Sequence, residues 1–186
     1  MKPLKDILYG VSLTAVSGST GVLVNTICFD SRNVAEGNVF VAIKGTLTDG
    51  HKYIDKAIEA GANSIVCEDL PGDLVNDITY VEVPDANQAL AIMASNFYDN
   101  PSKNLKLVGV TGTNGKTTVS SLLYQLFKKA GYTVGLLSTI RIMVDNKEFP
   151  ATHTTPDAMT INHYLALMNE AGVEFCFMEV SSHGIH

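Results

Sequence analysis

The residues with the clearest chemical potential are 112–118, which have the sequence GTNGKTT. Gly112 and Gly115 allow the backbone to turn with its amides facing inward, because neither residue carries a Cβ atom. Such amides, at the start of a helix, can bind phosphate oxygens. Lys116 can reach the β- and γ-phosphates of a nucleotide, and the Thr117 hydroxyl can bind Mg²⁺. These residue types in this order predict a loop that binds the phosphates of ATP.

The loop is a variant of the general phosphate-loop pattern, which has a further glycine at the position equivalent to Val110. The nearby glycines are instead Gly109 and Gly112. The alternative interpretation, a glycine-rich turn with a chance lysine, leaves the Gly-Lys-Thr sequence between a strand and a helix unexplained. The predicted ATP-binding residues are therefore Gly112, Thr113, Asn114, Gly115, Lys116, Thr117 and Thr118.

A second candidate for chemistry is Glu179, a charged residue in the otherwise apolar run 175–180 (FCFMEV). Burying a carboxylate is costly unless it has a partner. In open α/β sheets, ligands bind at the carboxyl ends of the parallel strands. We predict that Glu179 lies at such an end, rather than at a surface position, and holds Mg²⁺ opposite the phosphate loop, directly or through water. The predicted metal-binding residues are Thr117 and Glu179.

The elements that must position these residues follow from the periodicity of apolar residues. Residues 140–149 predict a hairpin that turns at Asp145-Asn146. In this half of the chain the predicted strands are 105–110, 133–137 and 175–180. The first predicted helix is 116–130, and its inward residues are Val119, Leu122, Leu123 and Leu126. The second is 156–171, and its inward residues are Ile161, Leu165 and Met168. The alternation of strands and helices predicts a parallel sheet.

The first part of the chain predicts a separate, small α/β unit. Its predicted strands are 24–29, 39–43, 64–67 and 78–83, and its predicted helices are 53–60 and 84–98. The polar segment 100–104 (NPSKN) contains residues that break regular structure, so we place a domain boundary between residues 102 and 103.

The predicted fold class is α/β, with a small N-terminal α/β domain (1–102) followed by a phosphate-loop-type, parallel-sheet ATP-binding domain (103–186). Open parallel sheets usually contain more strands than the second domain offers before the chain stops. We therefore expect the second domain to be truncated and the chain to be a fragment of a longer protein.

The composition favours a well-filled core, since 46% of the 186 residues are hydrophobic and 17% are charged. A net charge of −6 argues against a nucleic-acid binder, because a phosphate backbone requires a basic face. No apolar run is long enough to span a membrane. Cys28, Cys67 and Cys176 form no C-x-x-C pair, so we interpret them as buried thiols in a reducing compartment. We expect a soluble, cytoplasmic monomer that binds neither nucleic acid nor membrane.

The sequence GVTGTNGKTT (109–118) closely resembles the ATP loop of the Mur ligases, ATP-dependent amide-forming enzymes of peptidoglycan precursor synthesis. Residues 30–62 (DSRNVAEGNVFVAIKGTLTDGHKYIDKAIEAGA) resemble the N-terminal domain of that family, which holds a uridine nucleotide. Residues 153–157 (HTTPD) resemble a substrate-contacting loop. Residues 178–184 (MEVSSHG) resemble the branch of the family that adds a diamino acid to UDP-MurNAc-L-Ala-D-Glu. The resemblance covers nearly all of this chain, although such enzymes have far longer chains.

The resemblance implies a role for particular residues. The residues that it assigns to the UDP-MurNAc-dipeptide substrate are Ser31, Thr46, Leu47, Thr48, Thr154, Thr155 and Ser181. The residues that it places at the reaction are Lys116, Glu179 and His183. His183 either assists at a second metal ion or is an ordinary loop residue.

Two of these groups also have a purely structural interpretation. The triplet Asp30-Ser31-Arg32 is typical of a turn with an Asp–Arg surface pair. Thr154 and Thr155 stand where a threonine N-cap would precede Pro156 at the first position of a helix. At Thr154 and Thr155 the structural and the functional interpretation are compatible. For the triplet they are alternatives, and the resemblance favours the functional one.

The implied reaction transfers the γ-phosphate of ATP to the free D-Glu carboxylate, and the amine of a diamino acid then displaces phosphate from the acyl phosphate. The sequence leaves open whether the diamino acid is lysine or meso-diaminopimelate. It also leaves three alternatives: a non-catalytic module that binds UDP-muramyl precursors, the sibling ligase that adds D-Ala-D-Ala, and an unrelated phosphate-loop kinase. Since relatives use further residues and a C-terminal domain beyond the equivalent of His186, we expect this chain to bind substrate without turnover.

Overall fold

The computed structural model describes residues 1–45, 48–151 and 156–181. The chain divides into two compact units, Met1–Phe97 and Tyr98–His186. The division falls slightly before the expected boundary at residue 102, because the polar segment belongs with the second unit. There a 3-10 helix (Pro101–Asn104) follows the left-handed residues Asp99 and Asn100, and the Pro101 carbonyl accepts a hydrogen bond from Asn169 Nδ2 at 2.8 Å.

The first unit has a five-stranded sheet in the order β2-β7-β6-β5-β4. Strands β4 to β7 are parallel, β2 is antiparallel to β7, and β1 and β3 form a separate antiparallel pair. The elements are β1 (Lys2–Pro3), α1 (Leu4–Ile7), β2 (Ala15–Ser17), β3 (Leu23–Val24), β4 (Ile27–Cys28), β5 (Val39–Val41), α2 (Ile54–Glu59), β6 (Ser64–Cys67), β7 (Thr79–Glu82) and α3 (Ala86–Phe97), with 3-10 helices at Ser31–Asn33 and Gly50–Tyr53.

The core of the first unit forms where α2 packs on the sheet. Its fully buried members include Phe40 of β5, Ile65 of β6 and Tyr80 of β7, and α2 contributes Ile54 and Ala57. The continuous burial of β5 and β6 is typical of parallel strands that are covered on both faces. This packing fixes the ends of β4 and β5 and the start of α2, which surround the candidate site described below.

The predicted strand 24–29 is wrong, because the chain changes partner inside it. Val24 pairs with Lys2 in the small sheet, whereas Ile27 pairs with Val39 in the large one. Between them, the Asn25 backbone amide donates to the Gly37 carbonyl at 2.8 Å, so the run splits into two short strands. The polar residues Asn25 and Thr26 stand at this division, between the apolar Val24 and Ile27. The choice of partner strand on each side depends on residues distant in the sequence.

The second unit has a five-stranded sheet in the order β11-β10-β9-β12-β8. Strands β8, β12 and β9 are parallel, and the hairpin β10–β11 extends the sheet in antiparallel fashion. The elements are β8 (Lys106–Val110), α4 (Lys116–Lys129), β9 (Val134–Leu137), β10 (Arg141–Val144), β11 (Lys147–Pro150), α5 (Ala158–Glu170) and β12 (Phe175–Glu179). The hairpin prediction is confirmed, with Val144 opposite Lys147 and Asp145 in the left-handed region at φ 50°.

The two long helices of this unit cover opposite faces of the sheet. Phe177 of β12 packs on the side of α4, whereas its neighbour Cys176 packs on the side of α5 with Leu165 and Met168. Successive residues of a strand point to opposite faces, so one strand contributes to both clusters. The predicted α/β class, with a parallel core to this sheet, is confirmed.

The predicted inward face of α4 is wrong in part. Leu123 packs on the sheet as expected, but Val119, Leu122 and Leu126 are 45%, 58% and 61% exposed. Tyr124 and Lys128 donate hydrogen bonds to the Asp145 carbonyl, so their flank of α4 faces the β10–β11 turn. The exposed stripe, formed by Val119, Leu122 and Leu126, lies on the other flank, toward the edge strand β8. In the described part of the chain nothing covers that flank.

The start of α5 also differs from the prediction. The helix begins at Ala158, and its N-cap is Asp157, whose side chain accepts hydrogen bonds from the Thr160 amide at 2.9 Å and the Thr160 hydroxyl at 2.8 Å. Asp and Thr are both good N-cap residues, and here the carboxylate takes the position. Pro156 therefore precedes the helix.

Candidate functional site

The phosphate loop connects β8 to α4, as the sequence predicts. Strand β8 ends at Val110 and α4 begins at Lys116. Gly112 and Gly115 have φ values of 146° and 79°, which residues with a Cβ rarely adopt, and Gly115 is the N-cap of α4. The loop thus places the free amides of the first helical turn at the end of a parallel strand, where the helix dipole favours an anion.

Side chains of the loop are available to a ligand. Lys116 Nζ donates a hydrogen bond to the Gly112 carbonyl at 2.7 Å, so the ammonium lies over the loop that it would share with phosphate. The Thr117 carbonyl accepts from the buried Ser120 hydroxyl at 3.2 Å, which ties down the first turn of α4. Thr113, Asn114 and Thr118 are exposed, and Thr117 is half-buried.

Glu179 lies beside the start of this loop. It is the last residue of β12, stands opposite Val110 of β8 in the parallel register, and is only 8% exposed. Its Oε2 accepts a hydrogen bond from the Thr139 hydroxyl at 3.2 Å, while its buried Oε1 has no partner among the described residues. A buried carboxylate oxygen without a donor is costly in the absence of a cation, so this geometry fits a metal ligand.

Thr117 and Glu179 supply the kind of donor that Mg²⁺ prefers, a hydroxyl and a carboxylate oxygen. Within residues 1–45, 48–151 and 156–181, no group of three or more His, Cys, Asp or Glu side chains could hold a metal ion. A Mg²⁺ ion at this point would therefore need phosphate oxygens and water to complete its coordination, which is typical of nucleotide sites.

The first unit contains a pocket of about 580 Å³ at the ends of β4 and β5. This volume suits a nucleotide-sized ligand. Ser31 and Thr48, two of the residues assigned to substrate, both line it. The other lining residues are Phe29, Asp30, Arg32, Phe40, Ile43, Gly45, Gly50, Tyr53 and Lys56. The structure thus brings Ser31 and Thr48 together although they are far apart in the sequence.

Ser31 is held in place by the turn that the sequence predicts. The Asp30 carboxylate accepts from the Arg32 amide at 3.0 Å, which caps the 3-10 helix Ser31–Asn33, and it pairs with the Arg32 guanidinium at 2.6 Å. These hydrogen bonds from Arg32 lower the pKa of Asp30 to about 2. The turn with an Asp–Arg pair is therefore confirmed, and it directs the Ser31 position to the pocket.

His51 anchors the other side of the pocket. Its Nδ1 lies 2.7 Å from Asp49 Oδ1, and its Nε2 accepts from the amides of Glu68 and Asp69 at 3.1 and 3.3 Å. Because Nε2 accepts, Nδ1 must carry the proton and donate to Asp49. These hydrogen bonds give His51 a structural role, because they tie the Thr48–Gly50 turn to the segment after β6.

Some predicted residues lie outside the described part of the chain. These are Thr46, Leu47, Thr154, Thr155 and His183. Ser181, which directly follows Val180 after β12, is described and half-buried. Their assignment to the substrate or the reaction stays a prediction.

The structure adds residues that the sequence analysis missed. Thr139 follows β9 and binds Glu179, a partner that lies 40 residues further along the chain. Tyr53 and Lys56 line the pocket next to Ser31. Their spacing, which puts both on one side of the start of α2 away from the buried Ile54 and Ala57, was a signal that could have identified them.

The three cysteines are free and buried, which confirms their interpretation as buried thiols. Burial raises the pKa of Cys67 to about 11 and that of Cys176 to about 12. No helix in the described residues has the length and apolar character that would let it span a bilayer.

Two domains of one family match the chain. The Mur ligase middle domain matches residues 110–186, and the domain described as "Mur ligase family, catalytic domain" matches residues 23–98. The chain is 55% identical, over 97% of its length, to the UDP-N-acetylmuramoyl-L-alanyl-D-glutamate–2,6-diaminopimelate ligase of Cytophaga hutchinsonii. It is 46% identical, over 98% of its length, to the ligase of the same name from Phocaeicola vulgatus. The chain spans 37% and 38% of these two relatives.

Solved structures show the same fold. A ligase with the same name superposes with a TM-score of 0.76 at 24% identity, over 98% of this chain and 36% of that one. The MurF ligase of Thermotoga maritima in complex with ADP superposes with a TM-score of 0.55 at 29% identity, over 87% of this chain and 33% of that one. Because domains of the Mur ligase family match residues 23–98 and 110–186, which together are most of the chain, the chain belongs to the Mur ligase family.

Proposed function

We propose that this chain carries the UDP-substrate site and the ATP site of a ligase that adds 2,6-diaminopimelate to UDP-MurNAc-L-Ala-D-Glu. The ATP site is supported above all by the buried Glu179 beside the loop 112–118, whose Oε1 has no hydrogen-bond partner among the described residues. The sequence left the diamino acid open, and we propose diaminopimelate because the relatives are named for the ligation of this amino acid. The reaction proceeds in the cytoplasm, where UDP-linked precursors and ATP are both available.

The loop 112–118 holds the phosphates of ATP. Its amides at the start of α4 bind phosphate oxygens, and Lys116, which now bonds to the Gly112 carbonyl, turns to the β- and γ-phosphates. The ammonium then stabilises negative charge as the γ-phosphate moves to the D-Glu carboxylate. This contribution consists of positioning and electrostatics, which dominate phosphoryl transfer.

Thr117 and Glu179 would hold Mg²⁺, and the bound ion would supply charge neutralisation between the phosphates and the acceptor. Thr139 fixes the Glu179 carboxylate by its hydrogen bond to Oε2, which leaves Oε1 for the ion. The amine of the diamino acid then attacks the acyl carbon, and phosphate leaves as the amide forms. We place His183 and Ser181 near this step as predictions from the resemblance.

The pocket of the first unit holds the UDP moiety. The hydroxyls of Ser31 and Thr48 offer hydrogen bonds to it. We assign Thr46 and Leu47, which precede Thr48 in the sequence, to the same part of the substrate. We assign Thr154, Thr155 and Ser181 to the sugar–peptide part of the substrate. The domain at 1–102 thus serves the nucleotide-sugar, and the domain at 103–186 serves ATP.

Titration calorimetry on the purified chain tests this proposal. We expect UDP-MurNAc-L-Ala-D-Glu to bind and the tripeptide form to bind no more tightly, because the dipeptide form is the acceptor. Ser31→Ala should weaken binding by roughly tenfold, the value of one or two hydrogen bonds, whereas the exposed control Ser102→Ala should not. Preference for the tripeptide form would instead favour the D-Ala-D-Ala-adding ligase, and the absence of any binding would contradict both.

A further inference from the structure

The pocket of the first unit has an unbalanced positive charge at Lys56. Helix α2 buries Ile54 and Ala57 in the core, and Lys56 lies on the opposite, exposed side, where it lines the pocket. The helix also packs next to the 3-10 helix that contains Ser31. Lys56 therefore stands beside a residue assigned to substrate, on a rigid element and not on a mobile tail.

The other charged groups of the pocket neutralise each other. Asp30 accepts hydrogen bonds from Arg32 Nε at 2.9 Å and from Arg32 Nη2 at 2.6 Å. The negative charge of Asp30 and the positive charge of Arg32 therefore compensate each other. Lys56 has no ion pair in the described part of the chain. Arg32 is the main cause of the low pKa of Asp30, and Lys56 adds a smaller attraction, so its ammonium lies within electrostatic reach of the same turn.

Much of the remaining lining of the pocket is aromatic or aliphatic. Phe29 and Tyr53 are each 38% exposed at the pocket, and Phe40 and Ile43 supply further apolar lining. Exposed aromatic side chains at a pocket can stack on a planar base, and the free cation can pair with an anionic group. The pocket is thus suited to a ligand that carries both a planar ring and a negative charge.

We propose that Lys56 recognises the diphosphate of the uridine nucleotide, so that the first unit distinguishes a nucleoside diphosphate from a nucleoside. This inference rests on the proposed function, since it names the phosphate contact within the UDP pocket. It follows that the affinity for UDP should depend on the charge at position 56 and on ionic strength, while the affinity for uridine should depend on neither.

The experiment compares uridine and UDP by titration calorimetry on the full chain. The variants are Lys56→Met, Lys56→Arg and the control Lys52→Met, an exposed lysine of the preceding turn that does not line the pocket. All are tested in a Lys116→Met background, which removes UDP binding at the phosphate loop. We expect Lys56→Met to weaken UDP binding by roughly tenfold, the value of one charge-assisted hydrogen bond, and to change uridine binding by less than about twofold.

The other arms of the experiment should agree with this pattern. Lys56→Arg should retain most of the UDP affinity, Lys52→Met should retain all of it, and added salt should weaken UDP binding less in Lys56→Met than in the parent. Unchanged UDP affinity in Lys56→Met would overturn the inference while leaving the proposed function intact. An equal loss for uridine and UDP would also overturn it, because the lysine would then act on the pocket as a whole. If the parent bound neither ligand, the proposed function itself would fail, and the inference with it.

Discussion

At the scale of single residues, Glu179 is the most informative side chain. Its buried position at the carboxyl end of a parallel strand could be predicted, because a carboxylate in an apolar strand has few explanations other than a ligand. Its role as a metal ligand stays a prediction. Its partner Thr139 could not be predicted, since only the pairing of β9 with β12 brings the two together. The same holds for the pocket, where Ser31 was predicted from resemblance but Lys56 required the packing of α2.

The buried carboxylate gives a first prediction. Glu179→Gln keeps the shape of the side chain but removes the charge, so we expect Mg²⁺·ATP to bind at least tenfold more weakly. Binding of ATP in the presence of EDTA should hardly change, because the loop 112–118 is intact. Calorimetry with and without Mg²⁺ measures both. A variant that loses affinity equally under both conditions would show that Glu179 supports the loop rather than the ion.

The Asp30–Arg32 pair gives a prediction about pH. The pKa of Asp30 is lowered to about 2 by its hydrogen bonds to Arg32, from an ordinary value near 4. A lowered pKa means that the pair stabilises the fold above about pH 4 and that this contribution is lost as the pH falls toward 2. We expect a ¹³C carboxyl titration of Asp30 to have its midpoint near 2, and near 4 in Arg32→Gln. A midpoint near 4 in both proteins would show that the Asp30–Arg32 pair does not form in solution.

At the scale of elements, the sequence predicts existence and type well but partners poorly. The helices α3, α4 and α5 and the strands β6, β7, β8, β9 and β12 lie within about two residues of their predicted bounds. The errors occur where the strand partner or the helix cap of a segment cannot be read from its own apolar pattern. Val24 and Ile27 belong to different sheets, and Asp157 rather than a threonine caps α5.

The exposed stripe of α4 gives a prediction at this scale. Leu126 is 61% exposed, so Leu126→Lys should change the free energy of unfolding by no more than about 0.5 kcal/mol. Leu165→Ala, a buried control on α5, should cost about 2–4 kcal/mol because it leaves a cavity. Urea denaturation compares the two. Similar losses for both variants would mean that the flank of α4 toward β8 is covered in solution.

At the scale of the whole molecule, the chain has two units, and each supplies one candidate ligand site. The first unit holds the pocket with Ser31 and Thr48, and the second holds the loop 112–118 with Glu179. The sequence motifs indicated a resemblance to the Mur ligases in both units. The matching domains confirm this resemblance. The construction of each site became visible only in the structure, since the lining residues come from separate elements.

The reactivity of the three cysteine thiols reports whether both units are folded. Burial raises the pKa of Cys67 to about 11 and that of Cys176 to about 12, so the reactive thiolate is scarce at neutral pH. We expect Ellman's reagent to label the native chain slowly and to label all three cysteines rapidly in urea. Rapid labelling of Cys176 in the native chain would show that the sheet of the second unit opens in solution.

The proposed function requires that the uridine nucleotide binds the pocket of the first unit and not the loop 112–118. The most direct test is a crystal structure of the chain grown with UDP-MurNAc-L-Ala-D-Glu. We expect density for the uridine between Phe29 and Tyr53, with Ser31 and Thr48 in hydrogen-bonding distance and the diphosphate beside Lys56. Uridine density anywhere else, including on the loop 112–118, would show that the pocket of the first unit is not the uridine site.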